Sequence, residues 1–536
     1  MEKCNSFQKT ITFLLQNSEL GYIFSTANTE SIHMTYRIML PSVGKEQLQG
    51  EREKVNTMEF DLKKREFYWF NEICRIPHGS RNEKQLSDFI VRFAKEHHLS
   101  CRQDSVWNVI IDKPASKGNE NAAPLIIQGH IDMVCDKREG SEHDFMKDPL
   151  DLYTENGLLK TRDTTLGADD GLGAAWMLAL LEDDTLVNPP LECIFTVMEE
   201  LGLLGASNLC KEDVKADRMI SVDSMDEAIT DLCSAGGCYG TAVSEMTMIL
   251  NTDPTYRFSV DGLIGGHSGA DIHRERVNAD KMIARMLADI RKDGIYFNLV
   301  EMKGGSKSNA ITRTAEVIFT AKNEKQEIIN SLQNAYEGIV TEYHDSDPDI
   351  AYHLEQIDTA ETHADRMSTD NTVDFMYLVP NGFQHRSMAI EGLTVTSLNM
   401  GVVSTENGKV TIHILIRSMM DTAAENLNRQ ISLLAERTGI QYEMGEFYPG
   451  WNYSEVSPMR DKFAEACRKN DRELKINAVH GGLEAGVFAK LKPGIDIITI
   501  GADCRYYHTF EEELDLASFH HAFGILKDTI AMCADD

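Results

Sequence analysis

The sequence predicts an α/β protein: a mostly parallel central sheet with helices on both faces, into which an α+β region is inserted. Three observations carry this reading. From about residue 105, short apolar strands alternate with helical segments, the pattern of a largely parallel sheet. Between about 240 and 445 the pattern becomes alternating strands interleaved with long amphipathic helices, which reads as α+β with antiparallel pairing. Near residue 495 a buried strand of the first kind returns.

Residues 1–57 stand apart. They show weak periodicity, no strand series and a polar close, with six acidic and six basic residues, and read as a loosely attached N-terminal extension. Patterning starts after Met58. Leu86, Phe89, Ile90 and Phe93 fall at i, i+3, i+4 and i+7 on one helix face, and Ser80 with Glu83 resembles a capping box ahead of it. Strand-like runs then follow at 106–111, at 124–128 ending in Gly129-His130, at 192–198 ending in Glu199-Glu200, and at 219–222 ending in Asp223. A helix rich in Ala and Leu occupies 171–181 between them. The last strand, 495–500, is followed by Gly501 and then His508. Inside the insertion, strands at 256–260, 315–320 and 410–416 alternate with helices at 278–291, 325–344 and 423–437. The chain thus divides into an extension (1–57), a first catalytic-type segment (58–240), an insertion (241–445) and a second catalytic-type segment (446–536).

Composition limits the function classes. The 536 residues exceed one ordinary core, so at least two domains are expected. Lys and Arg total 53 against 85 Asp and Glu, a formal charge of −32. That field repels phosphate backbones and anionic lipid surfaces, which argues against nucleic-acid and membrane-surface partners. No run approaches the ~18 apolar residues of a membrane span. The apolar run at 11–15 is shorter than the ~7–15 residues of a signal-peptide core, so no secretion signal is expected. The eleven cysteines form no CxxC pair, and Cys233 and Cys238, the closest two, read as small buried apolar residues. A reducing cytoplasm fits this usage.

The chemistry sits at strand ends. Ligands of open α/β sheets gather at the carboxyl ends of strands, and that rule assembles His130, Asp132, Asp169, Glu199, Glu200, Asp223 and His508. Each alone has an ordinary reading as a turn, a solvated loop or a helix cap. Together, five carboxylates in one crevice would repel each other and keep protons unless compensated. Divalent cations supply the compensation, and mixed His and carboxylate ligation suits Zn²⁺ and its neighbours. Two ions sharing one carboxylate would lie ~3.5–4 Å apart and hold a hydroxide between them.

These residues carry a resemblance. Residues 128–134 (QGHIDMV) and 164–171 (TTLGADDG) resemble the two signatures of the di-zinc amidohydrolases that include aminoacylases and the glutamate carboxypeptidase group. Glu199-Glu200-Leu201-Gly202, Asp223 and His508 complete that pattern in order. Residues 263–273 (LIGGHSGADIH), 309–313 (NAITR), 448–451 (YPGW) and 480–486 (HGGLEAG) are similar to the cytosolic aminoacyl-histidine dipeptidases. The similarity runs from about Phe60 to the C-terminus and leaves out residues 1–57.

The resemblance implies roles. His130 and Asp223 would hold one metal, Glu200 and His508 the other, and Asp169 would bridge them. Asp132 would orient His130, and Glu199 would be the general base. Asp rather than Glu at 223 would favour a substrate with a free amino terminus. The insertion would act as a lid, with His267 polarising the scissile carbonyl and Asn309 and Arg417 binding the substrate carboxylate or carbonyl. The ordinary alternatives are a turn histidine for His267, a surface ion pair for Arg417, and structural roles for His273 and His480. Three features depart from the family wording: Asp170 in place of Asn, which adds charge beside the bridging ligand; residues 503–510 (DCRYYHTF) around His508; and Thr312 after Asn309-Ala310-Ile311.

The expected activity is hydrolysis of dipeptides, preferentially Xaa-His and carnosine-like ones, with two divalent ions: Zn²⁺, or else Co²⁺ or Mn²⁺. An N-acyl amino acid amidohydrolase on the same centre, or a silent peptide-binding scaffold, are the alternatives. The resemblance also implies a homodimer joined through the lid, which could bring His267 to the partner's site.

Overall fold

The computed structural model describes residues 59–388 and 390–535. The extension expected over 1–57 lies outside them. Among the described residues, no helix is long and apolar enough to cross a membrane.

Six strands form one sheet in the spatial order Ser100–Gln103, Val109–Lys113, Leu191–Thr196, Leu125–His130, Arg218–Ser221, Asp496–Thr499. The three pairings among the last four strands are parallel, and the two at the Ser100 edge are antiparallel. The central strands read as continuous apolar runs because both faces are covered. Ile127, Cys193, Phe195, Ile220 and Ile498 face one apolar cluster; Ile126, Ile194, Met219 and Ile497 face another. On the first face Trp176 stacks on Phe519 at 5.5 Å, and Phe519 stacks on Phe67 at 5.6 Å. These rings belong to the helices Ala168–Glu182, Leu516–Cys533 and Arg65–Cys74. The Ala168–Glu182 helix is buried almost all round, which explains its Ala- and Leu-rich composition.

Local chemistry moves two expected features. The strand expected at 106–111 begins later, at Val109, because the Asp104 carboxylate accepts from the Val106 and Asn108 N–H groups and holds a turn there. The Ser80–Glu83 capping box does not form. The helix Lys84–Glu96 has Glu83 at its N-cap without a side-chain cap bond. Ser80 Oγ donates instead to Asp132 Oδ2 at 2.8 Å, and Glu83 Oε1 accepts from the Arg81 and Met198 N–H groups. Both residues are drawn to the functional edge of the sheet.

The second sheet has nine strands, all antiparallel, drawn from between Gly236 and Tyr448. The helices Ala279–Lys292, Arg366–Leu378 and Asp421–Thr438 contribute to its apolar core. The first of these starts at Asn278, whose side chain accepts from Asp280 N and Lys281 N.

Candidate metal centre

The parallel strands deliver their side chains to one edge. His130 is the last residue of its strand, Asp223 lies two past Ser221, and Glu199 opens a short 3-10 turn beyond Thr196. Asp169 sits at the start of the Ala168–Glu182 helix in non-helical conformation, which turns its carboxylate out of the helix. His508 comes from the loop after the Asp496–Thr499 strand.

Asp169 lies between the two imidazoles. His130 Nε2 is 3.1 Å from Asp169 Oδ1, and His508 Nε2 is 3.0 Å from Asp169 Oδ2. Glu200 Oε1 is 2.9 Å from His508 Nε2. Two triads, His130/Asp169/Asp223 and Asp169/Glu200/His508, each bring ligand atoms within 4.8 Å of one another. His130, Glu199 and Glu200 form a third such group.

Charge provides a test of metal fit. Burial, reinforced by Asp169, pushes Asp223 up to about 8. Burial likewise raises Glu199 well above the usual carboxylate range, and raises Glu200 although His508 opposes it. Asp169 is held below that range: burial acts against it, but hydrogen bonds from His130 and His508 prevail. The imidazoles answer in kind, with His508 raised to about 11 by Asp169 and Glu200 against the effect of burial. A cluster that retains protons at neutral pH is short of positive charge, and its nitrogen and carboxylate donors are those that divalent cations take. Asp170 adds less to this crowding than its residue type suggests. It is fully buried, and burial with Asp223 beside it favours its neutral form.

The groups behind the donors are fixed by backbone contacts. His130 Nδ1 lies 3.0 Å from the Asp132 carbonyl and 3.4 Å from Asp132 Oδ1, which leaves Nε2 as the free ligand atom. The Asp132 carboxylate also accepts from Glu199 N at 2.9 Å and Glu200 N at 3.3 Å, so one side chain orients the imidazole and anchors the Glu199 turn. Glu512 is buried and accepts from four successive N–H groups: Leu166 at 2.8 Å, Gly167 at 3.0 Å, Ala168 at 2.9 Å and Asp169 at 3.4 Å. It holds the turn that presents Asp169. Sequence reasoning gave no role to Glu512 or Glu484, and it assigned Ser80 and Glu83 to a helix cap instead of to this edge. The available signals were Glu512 standing four residues after His508 and Glu484 standing within the 480–486 motif.

A cleft of about 360 Å³ opens over the cluster, and its walls include Asp169, Glu199, Asp223, His508, His267 and Arg417. His267 therefore faces the site of its own chain. Its Nδ1 accepts from Gly269 N at 3.3 Å and Ala270 N at 3.1 Å. Burial and Arg417 lower its pKa, so the ring is neutral and carries its proton on Nε2. Arg417 is buried, not at the surface. Its Nε reaches Ser268 Oγ at 3.4 Å, its Nη1 reaches the Tyr448 hydroxyl at 3.3 Å, and no carboxylate among the described residues pairs with it. Asn309 is not among the residues lining the cleft; its carbonyl accepts from Ser268 N at 2.8 Å and so supports the turn that carries His267. His273 is exposed, while His480 is buried against Ser397.

Fold and site together define a peptide hydrolase. Residues 126–532 match Peptidase family M20/M25/M40, and the chain belongs to that family. Over 467 residues it is 34% identical to the cytosol non-specific dipeptidase of Escherichia coli (strain K12), covering 86% of this chain and 96% of that protein. It is also similar to the crystal structure of aminoacylhistidine dipeptidase from Vibrio alginolyticus, with a TM-score of 0.79 at 33% identity, covering 87% of this chain and 96% of that one. Aminopeptidase PepT from Bacillus cereus shares the fold at a TM-score of 0.52 and 15% identity, covering 89% of this chain and 100% of that one.

Proposed function

We propose that the chain is a metal-dependent dipeptidase with a preference for Xaa-His dipeptides. The observation that carries the reading is Asp169, whose two oxygens reach His130 and His508 in the same cleft as Arg417, with which no carboxylate among the described residues pairs. Two divalent ions, most simply Zn²⁺, would be held by His130, Asp169 and Asp223 and by Asp169, Glu200 and His508. When bound, they supply Lewis acidity toward a carbonyl and lower the pKa of a water.

The protein's own groups do the rest. Glu199, anchored through its N–H to Asp132, takes a proton from the attacking water and returns it to the leaving amine. Burial raises the pKa of Glu199, and neighbouring divalent cations would lower it toward that of a base at neutral pH. His267 Nε2–H donates to the oxygen of the scissile carbonyl as charge builds there. Arg417 binds the carboxylate of the dipeptide, the counter-ion that its buried guanidinium otherwise lacks. The cleft lies at the small end of the ~300–1,000 Å³ range of ligand pockets, which suits a substrate of two residues. In this reading, the segments 58–240 and 446–536 carry the metal centre and 241–445 is the lid.

The test is a panel of dipeptides and N-acyl amino acids, run on metal-depleted and reconstituted enzyme. Metal-restored cleavage of dipeptides, fastest with C-terminal histidine, is expected. Faster turnover of N-acyl amino acids, or no turnover after reconstitution, would overturn the proposal.

A further inference from the structure

One short segment contacts both walls of the cleft. Residues 480–484 follow the strand Lys475–Val479 and lead into the helix Ala485–Leu491. At one end, His480 Nε2 lies 2.7 Å from Ser397 Oγ, both groups being buried. Ser397 is the cross-strand partner of Arg417. The His480 carbonyl also closes on Gly269, where a Cβ would come within 2.6 Å of it. Gly269 N–H is one of the two donors that fix His267. At the other end, buried Glu484 accepts from Gln128 Nε2 at 2.5 Å and from Thr196 Oγ1 at 2.6 Å. Those residues lie on the strands that lead to His130 and Glu199. Between the ends, Gly482 packs against the Tyr448 ring, leaving 2.8 Å for any Cβ, and Tyr448 is the hydroxyl partner of Arg417.

We propose that residues 480–484 form a two-ended tie. It fixes the spacing between the lid groups His267 and Arg417 and the strands that carry His130 and Glu199, with His480 and Glu484 as positioning residues. The kinetic part of its test rests on the dipeptidase reading above. The physical basis is that each end is a buried polar group with specific partners, so letting go at either end leaves those partners unmet. The glycines at 269 and 482 let the backbones approach closely enough for both ends to hold at once. A dipeptide gripped at one end by Arg417 must present its carbonyl to Glu199, and a misplacement of about 1 Å can cost ~10²-fold in rate.

The experiment uses the full chain, metal-loaded, as Glu484→Ala, Glu484→Gln, Ser397→Ala and the Ser397→Ala/Glu484→Ala double variant. Glu484→Ala is expected to lower kcat/KM about 100-fold. Glu484→Gln, which keeps an oxygen for both donors, should recover to within about tenfold of wild type. The double variant should be no worse than the worse single one, because cutting a tie twice loses nothing more. Independently of activity, Glu484→Ala should speed hydrogen exchange at the far end, in Thr394–Glu406 and Lys409–Ser418. If Glu484→Ala does not fold, Ser397→Ala gives the converse reading, faster exchange in Leu125–His130 and Leu191–Thr196. Effects that multiply in the double variant, no recovery in Glu484→Gln, or far-end exchange unchanged by a cut would each overturn the tie. A wild-type enzyme inactive on dipeptides would overturn the functional reading alone, since exchange still decides the tie.

Discussion

Glu512→Gln tests how the Asp169 turn is held. The wild-type carboxylate accepts from Leu166 and Gly167 through Oε2 and from Ala168 and Asp169 through Oε1. Glutamine can keep only one acceptor oxygen. Its better orientation keeps the Leu166 and Gly167 bonds and turns an NH₂ group toward the Ala168 and Asp169 N–H groups. One good bond at 2.9 Å and one weak bond at 3.4 Å are then lost, and two buried N–H donors face another donor. At about 1.5–3 kcal/mol for a hydrogen bond to a charged group, the loss is roughly 2–4 kcal/mol. Part of it will appear as looser presentation of Asp169, the residue placed between His130 and His508. Removal of such supporting contacts typically weakens metal affinity ~10–100-fold, or about 1.4–2.7 kcal/mol, which lies within that range. The assay is competition of metal-free protein against a chelator of known affinity, with kcat measured at saturating metal. Glu511→Gln, at the exposed neighbouring position, is the control and should change nothing. Metal affinity within twofold of wild type, alongside a lowered melting temperature, would refute the reasoning and leave Glu512 as a helix cap only.

Further predictions follow from the same geometry. Glu199→Ala should lower kcat by at least ~10²–10⁴-fold while metal content per chain, read by elemental analysis, stays the same. Arg417→Lys should raise KM for dipeptides roughly tenfold or more with kcat little changed, because a point charge replaces a planar fork at a carboxylate; unchanged KM would remove Arg417 from substrate binding. Metal-free protein should lose stability as pH rises from about 4 to about 8. Burial raises folded Asp223 from 3.8 to about 8, so the folded state holds the extra proton in that window and the advantage is gone above it. His508, raised from 6.5 to about 11 by its carboxylate neighbours, acts in the same direction at higher pH, and melting curves with a chelator across pH 4–9 read the slope. Because His267 lines the cleft of its own chain, dilution of any dimer to monomer should leave kcat unchanged; activity lost in step with dissociation would show that the partner completes the site.

The sequence by itself determined the parallel strands and the residues that end them. Covered on both faces, these strands had to be apolar throughout, so His130, Glu199, Glu200 and Asp223 stand out wherever an apolar run stops. Asp169 was legible in another way, through the motif at 164–171, and His508 through its place after the last strand, although the residues around it depart from the family wording. What no local pattern shows is which distant groups meet. Glu512 reaches the Leu166 N–H across 346 residues, Glu484 reaches Gln128 across 356, and Ser80 serves Asp132 instead of its own helix. Nor does the sequence show that Arg417 is buried with no carboxylate partner among the described residues, or that Asn309 supports a turn through its carbonyl. Periodicity records which face of an element is apolar, and that is a local property of the chain. The partner of a buried carboxylate is set by which loops the packed sheets bring together, so only the tertiary structure decides it.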